Sequence, residues 1–182
     1  MVRIQPNTNP DAKSQELLVG VKKMLGSTPN IFTTMAHSSG ALGVFVGALG
    51  AMSGSKLSGG LREQIALTVA GANSCDYCAS AHTALGKMNK VSELDLAINL
   101  QAKSSDSRTQ AALTFARKIV DLRGHVADAD VTAIRSAGYS DSEIVDIIAV
   151  VCVNIYTNYF NHVAGTAIDF PMVSSKLVTA NV

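Results

Sequence analysis

The residues best suited to chemistry lie in one stretch, from Glu63 to His82. It contains two of the three cysteines and one of the four histidines. Because residues three and four apart share a face of a helix, Cys75, Cys78 and His82 are expected to point the same way. Glu63 lies on the preceding apolar segment, and a helical hairpin could fold it back over the thiols. The sequence therefore predicts a compact cluster of two sulfurs, an imidazole and a carboxylate.

The chemistry of such a cluster depends on forming a thiolate. The thiolate is the nucleophile, and an isolated cysteine with a pKa of about 8.5 is mostly protonated at neutral pH. Asn73 and Ser74 are residue types that favour helix N-caps, so we expect both thiols near the first turn of a helix, where unpaired N–H groups stabilise negative charge. His82 can accept a thiol proton, and Glu63 can orient that imidazole.

These four positions also resemble the signature of a known family. The pattern Glu-x11-Cys-x2-Cys-x3-His resembles the active-site signature of AhpD-type alkylhydroperoxidases, within the carboxymuconolactone decarboxylase superfamily. The segment from Asn161 to Pro171 resembles the end of that superfamily's uncharacterised peroxidase-related branch, so the resemblance extends from about Pro29 to Pro171. One position departs from the pattern, because Tyr77 stands where the best-known members have a histidine.

The resemblance implies a thiol peroxidase that reduces an organic hydroperoxide and closes a disulfide between Cys75 and Cys78. In the resembling family the second cysteine attacks, so Cys78 would be the peroxidatic residue and Cys75 the resolving thiol and proton donor. His82 and Glu63 would relay protons. The phenol of Tyr77 could donate a hydrogen bond to a peroxide oxygen, although simple packing is the favoured expectation. The sulfenic acid would be protected from over-oxidation by condensing with the neighbouring thiol.

No cofactor is implied beyond an external dithiol reductant, either a lipoyl group or a thioredoxin-like protein. The residues alone leave other functions open. The dithiol could serve a general dithiol–disulfide oxidoreductase or a redox sensor. Two cysteines, a histidine and a carboxylate could also bind zinc as a structural site, but three of these ligands fall on one predicted helix, so no metal is expected. Lactone decarboxylation, the other activity of the superfamily, does not call for a dithiol.

Length and composition limit the domain count and the partners. A chain of 182 residues suits one domain, so we expect an extended segment over residues 1–10 and a single AhpD-like domain over residues 11–182. A net charge of +1 without a basic cluster argues against a nucleic-acid partner. The N-terminal residues show no apolar signal region, and two of the three cysteines form one C-x-x-C motif. These features favour the cytoplasm.

Helical periodicity extends along the whole chain, and no alternating strand pattern is present. The predicted fold is all-α, an AhpD-like helical bundle of about six to eight helices. The expected helix starts are Thr28 as an N-cap before Pro29, and capping boxes at Ser92 with Asp95 and at Ser140 with Glu143. With 47% hydrophobic and 16% charged residues, a homo-oligomer with a buried interface is expected, and the resemblance implies a trimer or hexamer.

The last long apolar run, residues 144–160, is predicted to be a buried helix. It is shorter than the roughly 20 residues that a membrane span needs, so no membrane association is expected. Cys152 lies in this run between valines and is expected to be buried as a small hydrophobe. His162, near its end, is expected to have a structural role at a subunit contact or to approach the active site.

Overall fold

The computed structural model describes residues 1–176, whose regular secondary structure is entirely helical. This confirms the predicted all-α fold. The described helices are α1 Ala12–Leu25, α2 Asn30–Met35, α3 Ser39–Met52, α4 Gly59–Ala72, α5 Asp76–Met88, α6 Glu93–Asn99, α7 Ser107–Asp121, α8 Asp128–Ser136 and α9 Asp141–Ala164. These nine exceed the expected number by one. The extra helix arises because Ser38 interrupts one predicted region and caps α3 by accepting a hydrogen bond from the Ala41 N–H at 3.2 Å.

The chain divides into two compact units. Of the described residues, the first unit comprises 1–54 and 159–169, and the second comprises 55–158 and 170–176. The four residues of the predicted cluster belong to the second unit. The expectation of a single domain over residues 11–182 stays a prediction.

In the first unit, long-range hydrogen bonds join the N-terminal segment and the start of α2 to the end of α9 and the residues that follow it. Residues 1–10 contain no helix, and the N–H groups of Arg3 and Ile4 both donate to the Ala164 carbonyl, at 2.8 and 3.0 Å. The prediction that Thr28 caps α2 is wrong. Pro29 is the N-cap residue, and an Asp169 carboxylate oxygen accepts from the Asn30 N–H at 2.7 Å. The negative charge takes the place that a hydroxyl was expected to fill.

In the second unit, α4 is the central helix, and its apolar residues explain why. Ile65, Leu67 and Val69 are fully buried. Gly71 allows the chain after α6 to pass close to α4, because an added Cβ there would overlap the carbonyl oxygen of Leu100. Ser58 starts α4 by accepting from the Leu61 N–H at 3.2 Å. The axis of α4 is thus fixed against its neighbours, and α4 carries Glu63.

Of the two predicted capping boxes, the one at the start of α9 is complete, whereas at the start of α6 the Ser92 side-chain cap is the half that the described residues show. Ser92 accepts from the Asp95 N–H at 3.0 Å at the start of α6. At the start of α9, Ser140 accepts from the Glu143 N–H at 3.3 Å, and Glu143 accepts from the Ser140 N–H at 2.9 Å. Each cap satisfies N–H groups that the first turn of a helix leaves unpaired.

The prediction of a buried helix is wrong for one face of α9. Its 24 residues make it the one helix among the described residues that is long and apolar enough to cross a membrane, a test that core helices of soluble proteins also pass. Ile147 and Val151 are fully buried, whereas Val145 and Ile148 are 63% and 40% exposed. The helix therefore has a packed apolar face and an open one.

Candidate active site

The structure brings Glu63 of α4 and His82 of α5 into direct contact. The Glu63 Oε2 and His82 Nδ1 atoms lie 2.7 Å apart. Both side chains are partly enclosed, with exposed fractions of 17% and 21%. Because an ionised carboxylate can only accept, Nδ1–H donates to Glu63, which leaves Nε2 to take up or release a proton. This is the arrangement of a histidine base oriented by a carboxylate.

Cys75 and Cys78 lie at the start of α5, as the spacing predicts, but the cap differs from the expectation. Cys75 is itself the N-cap residue, and its Sγ accepts from the Cys78 N–H at 3.3 Å. Asn73 is instead the C-cap residue of α4, and Ser74 adopts a left-handed conformation with φ of 55°. A sulfur thus occupies the place of the usual capping oxygen, where the helix N-terminus favours negative charge.

Hydrogen bonding favours a thiolate at Cys75. The Cys78 thiol donates to the Cys75 sulfur and lowers the pKa of the Cys75 thiol below its ordinary value. Burial opposes this shift, while the Cys78 backbone N–H and the charge of His82 add to it. Both cysteines are only 2% exposed. In the reduced dithiol, negative charge is therefore stabilised on the first cysteine while the second donates.

Tyr77, between the two cysteines, is 5% exposed. Its ring meets that of Phe170 edge to face, with the ring centroids 5.8 Å apart and an interplanar angle of 89°. This geometry is typical of favourable aromatic packing. The contact ties the chain after α9 to the first turn of α5.

A segment that we call the C-terminal strap, residues 170–176, runs along α5. The backbone N–H and the hydroxyl of Ser175 donate to Asp76 Oδ1 at 2.8 and 2.6 Å. The Val173 N–H donates to the Ser80 hydroxyl at 2.9 Å. Since Asp76 and Ser80 flank Cys78 on the helix, the strap covers the region that holds the dithiol. Sequence analysis missed these contacts, and its only signal was the resemblance of the tail up to Pro171.

The remaining candidate residues lie on the surface. His162 is exposed. Cys152 is also exposed, so the prediction that it is buried is wrong. It lies four residues after Ile148 on the open face of α9, and its valine neighbours in sequence face other directions. Among the described residues, no three histidine, cysteine or acidic side chains are arranged to hold a metal ion.

Comparisons with known proteins agree with this architecture. Residues 44–122 match the model of the carboxymuconolactone decarboxylase family. No curated protein matches the chain. Among solved structures, an uncharacterised peroxidase-related protein with an alkylhydroperoxidase AhpD core, from Ralstonia eutropha JMP134, is 25% identical, with a TM-score of 0.82 and 93% of each chain covered. An uncharacterised peroxidase-related protein from Silicibacter sp. TM1040 is also 25% identical, with a TM-score of 0.78, over 90% of this chain and 91% of that one.

The debrominase Bmp8, solved in complex with 2,3,4-tribromopyrrole, is 20% identical, with a TM-score of 0.78 and 91% of each chain covered. At that identity the likeness concerns the fold alone. The same helical architecture thus occurs in a debrominase and in uncharacterised peroxidase-related proteins.

Proposed function

We propose that the chain, whose residues 44–122 match the carboxymuconolactone decarboxylase family and whose fold is that of AhpD-like proteins, is a thiol-dependent peroxidase that reduces organic hydroperoxides. One observation carries the proposal: a hydrogen-bonded Cys75–Cys78 pair on the same helix as a histidine held by Glu63. Such a cluster supplies a stabilised thiolate, a second thiol and a proton carrier, which are the three groups that peroxide reduction by a dithiol requires.

In the first step the Cys78 sulfur attacks the terminal oxygen of the hydroperoxide. The Cys78 proton passes to the Cys75 thiolate, which already accepts its hydrogen bond. The O–O bond breaks, Cys78 becomes a sulfenic acid, and the leaving alkoxide takes a proton to become an alcohol. In this proposal His82 supplies that proton, with Glu63 stabilising its charged form.

In the second step Cys75 gives its proton to His82, which lost one to the alkoxide, and the Cys75 thiolate attacks the sulfenic sulfur of Cys78. The S–O bond breaks, a disulfide forms, and hydroxide leaves as water after it gains a proton from His82. The dithiol has then lost two electrons, which the O–O bond received. An external dithiol, a lipoyl group or a thioredoxin-like protein, returns them by thiol–disulfide exchange and restores both thiols.

The test is a count of free thiols before and after one equivalent of cumene hydroperoxide is added to the reduced protein. We expect two thiols to disappear and peptide mapping to find a Cys75–Cys78 bridge, with Cys152 still reduced. Treatment with an excess of a small dithiol should then restore all three thiols. Survival of all three thiols in the presence of the hydroperoxide would refute the proposal and favour an activity that does not use the cysteines, such as decarboxylation.

The alternative candidate is a dithiol–disulfide oxidoreductase or redox sensor with another electron acceptor. It uses the same Cys75–Cys78 pair, because a dithiol delivers two electrons whatever accepts them. The ligand of the debrominase suggests one acceptor class, an aryl bromide, for which two thiols and one C–Br bond would give a disulfide, a C–H bond and HBr. A disulfide that forms with 2,3,4-tribromopyrrole but not with hydroperoxide would favour this alternative.

The remaining partners belong to the same proposal. The enzyme acts in the cytoplasm, without nucleic acid, membrane or metal. It self-associates as a trimer or hexamer, and the exposed apolar side chains of α9, among them Val145 and Ile148, support such an interface. Sedimentation velocity would measure the mass. Val145→Glu should shift it toward the monomer, whereas a monomeric native chain would exclude the assembly.

A further inference from the structure

A cavity of about 660 Å³ opens in the second unit beside the start of α5. This volume falls within the range of about 300–1,000 Å³ that is typical of small-molecule sites. The cavity is lined by Gly71, Ser74, Ala97, Leu100, Gln101, Arg117, Val173, Ser174, Ser175 and Lys176. A second cavity, of about 130 Å³, lies against α7 and α8 and is too small for an organic substrate. The larger cavity therefore has room for a small organic molecule beside the residue that precedes Cys75.

The charge of the larger cavity favours an anion. Its lining includes two cations, Arg117 and Lys176, and no aspartate or glutamate among the described residues. Asp121 accepts hydrogen bonds from Arg117 Nε at 2.9 and 2.8 Å, which orients the guanidinium and leaves its Nη groups without hydrogen bonds to described residues. Asp121 offsets one of the two positive charges. Lys176 has no acidic partner among residues 1–176, and the Nη groups of a guanidinium match the geometry of a carboxylate.

The rest of the lining suits a hydrocarbon. Ala97 and Leu100 come from α6 and the residue after its end, and Val173 comes from the C-terminal strap. Burying a methylene group of a ligand against such side chains contributes about 0.8 kcal/mol. A molecule with an apolar body and a carboxylate therefore fits both the shape and the charge of this cavity.

The cavity and the dithiol share walls. Ser74, which lines the cavity, directly precedes Cys75. Val173 and Ser175 of the strap also line it, and the same two residues hydrogen-bond to Ser80 and Asp76 on α5. Neither cysteine is a lining residue, so the strap and the turn at Ser74 separate a bound molecule from the sulfurs.

From these observations we infer that the cavity is the substrate site and that the substrate is an organic hydroperoxide carrying a carboxylate. The inference rests on the proposed peroxidase function. Arg117 and Lys176 hold the carboxylate, the apolar lining holds the body of the molecule, and the strap shifts to let the peroxide reach the dithiol. The cavity thus provides binding and selectivity, and the dithiol provides the electrons for the reduction.

The first test measures binding without turnover, by calorimetry with octanoate and its neutral analogue octanamide on the reduced protein. We expect native protein to bind octanoate more tightly than octanamide. In the double variant Arg117→Gln/Lys176→Gln the affinity for octanoate should fall by about tenfold, while the affinity for octanamide should stay the same. Lys103→Gln, an exposed cation in the same unit outside the cavity, is the control and should change neither. Equal octanoate affinity in native protein and double variant would overturn the carboxylate site.

The second test measures selectivity by the rate of thiol loss with 8-hydroperoxyoctanoate, with its methyl ester, and with uncharged tert-butyl hydroperoxide. Native protein should react faster with the acid than with the ester, by about tenfold, and the double variant should lose this preference. Lys103→Gln, the control outside the cavity, should keep both this preference and the rate with tert-butyl hydroperoxide.

The two tests separate failure of the inference from failure of the proposed function. If tert-butyl hydroperoxide oxidises the dithiol but acid and ester react equally, the peroxidase stands and the substrate assignment falls. If octanoate binds as expected but no hydroperoxide closes the disulfide, the proposed function and the substrate assignment both fall, while the anion-binding cavity stands.

Discussion

Cys75 and Cys152 are free thiols in the same structural unit, and their surroundings are opposite. Cys75 is 2% exposed, caps α5 and accepts hydrogen bonds from the neighbouring cysteine. Cys152 is exposed in the middle of α9, where main-chain N–H groups are already used by the helix. Exposure decides which thiol a reagent meets first, whereas hydrogen bonds decide which thiol is a stable thiolate. In this protein the exposed thiol lies on α9, and the thiol that is stabilised as a thiolate lies at the start of α5.

The two helices also differ in the fate of a sulfur once it is oxidised. An oxidised Cys78 has a resolving thiol three residues away at the start of the same helix, so it can form an intramolecular disulfide and be reduced again. An oxidised Cys152 has no cysteine near it in sequence and would have to react with another molecule. The buried thiols are therefore suited to a catalytic cycle, and the exposed thiol is suited only to side reactions.

The largest effect is expected when either cysteine of the pair is replaced. Cys78→Ser and Cys75→Ser should each lower hydroperoxide consumption by at least about a hundredfold, because neither variant can form the intramolecular disulfide. Dimedone should trap a sulfenic acid on Cys78 in Cys75→Ser and none on Cys75 in Cys78→Ser. The opposite trapping pattern would assign the attack to Cys75, which the lowered pKa of its thiol makes the direct competitor.

Glu63→Gln removes the carboxylate that orients His82, and we expect it to slow disulfide formation by roughly tenfold to a hundredfold. The uncharged amide cannot hold an imidazolium as a carboxylate does, so the proton relay through His82 should be slower. Stopped-flow measurement of thiol loss would record the rate. Glu93→Gln, at an exposed glutamate paired with Lys87 on the surface, is the matched control and should leave the rate as it is.

The lowered pKa of the Cys75 thiol predicts how the rate of its alkylation depends on pH. Since the Cys78 thiol lowers the pKa of Cys75, Cys75 should react with iodoacetamide at a lower pH than an ordinary thiol. Cys78→Ala removes the donor and should move the midpoint upward, so that alkylation at pH 6.5 slows several-fold. Cys78→Ser keeps a hydroxyl donor and should move it less. An identical midpoint in Cys78→Ala and Cys78→Ser, measured in a Cys152→Ser background, would contradict this cause.

Loosening the strap should make Cys75 and Cys78 on α5 more accessible. The difference in accessibility between them and Cys152 on α9 should then be smaller. Ser175→Ala removes the hydroxyl that donates to Asp76 while keeping the backbone N–H bond. A lost hydrogen bond of about 1 kcal/mol would raise the population of open strap, and with it the alkylation rate of the buried dithiol, by about fivefold. Ser174→Ala is the control, since its hydroxyl bonds only within the strap, to Lys176. No difference between these variants would mean that the strap does not limit access.

The features that sequence could predict are those that local periodicity encodes. The pairing of Glu63 with His82 follows from two helices and a three-residue connection, and the position of both cysteines at the start of α5 follows from their spacing. The N-cap residue of α5 could not be predicted from the local sequence. Ser74 has the better capping side chain, but the Cys75 N–H bonds to the Ala70 carbonyl at 2.9 Å, and the turn puts Ser74 in a left-handed conformation.

Contacts between distant residues were equally invisible. The Asp76–Ser175 hydrogen bond joins positions that are 99 residues apart, and no local sequence pattern predicts it. The burial of Cys152 was predicted from apolar neighbours in sequence, whereas the phase of α9 decides it. Val151 lies on the packed face and Cys152 on the open one. Composition predicts that a helix packs, but only tertiary structure tells which side does.

The smallest effect is expected for Cys152→Ser, and it tests the comparison from the other side. Because Cys152 is exposed on the open face of α9, this substitution should change the free energy of unfolding by no more than about 0.5 kcal/mol. Hydroperoxide consumption should stay within about twofold of the native rate, because the proposed Cys75–Cys78 disulfide does not involve this residue. Alkylation should distinguish the two thiol classes: the fastest-reacting thiol of the native protein near pH 8.5 should vanish in the variant. If peroxide turnover vanished with it, exposure would outweigh hydrogen bonding in selecting the reactive sulfur, and the assignment of the chemistry to α5 would be wrong.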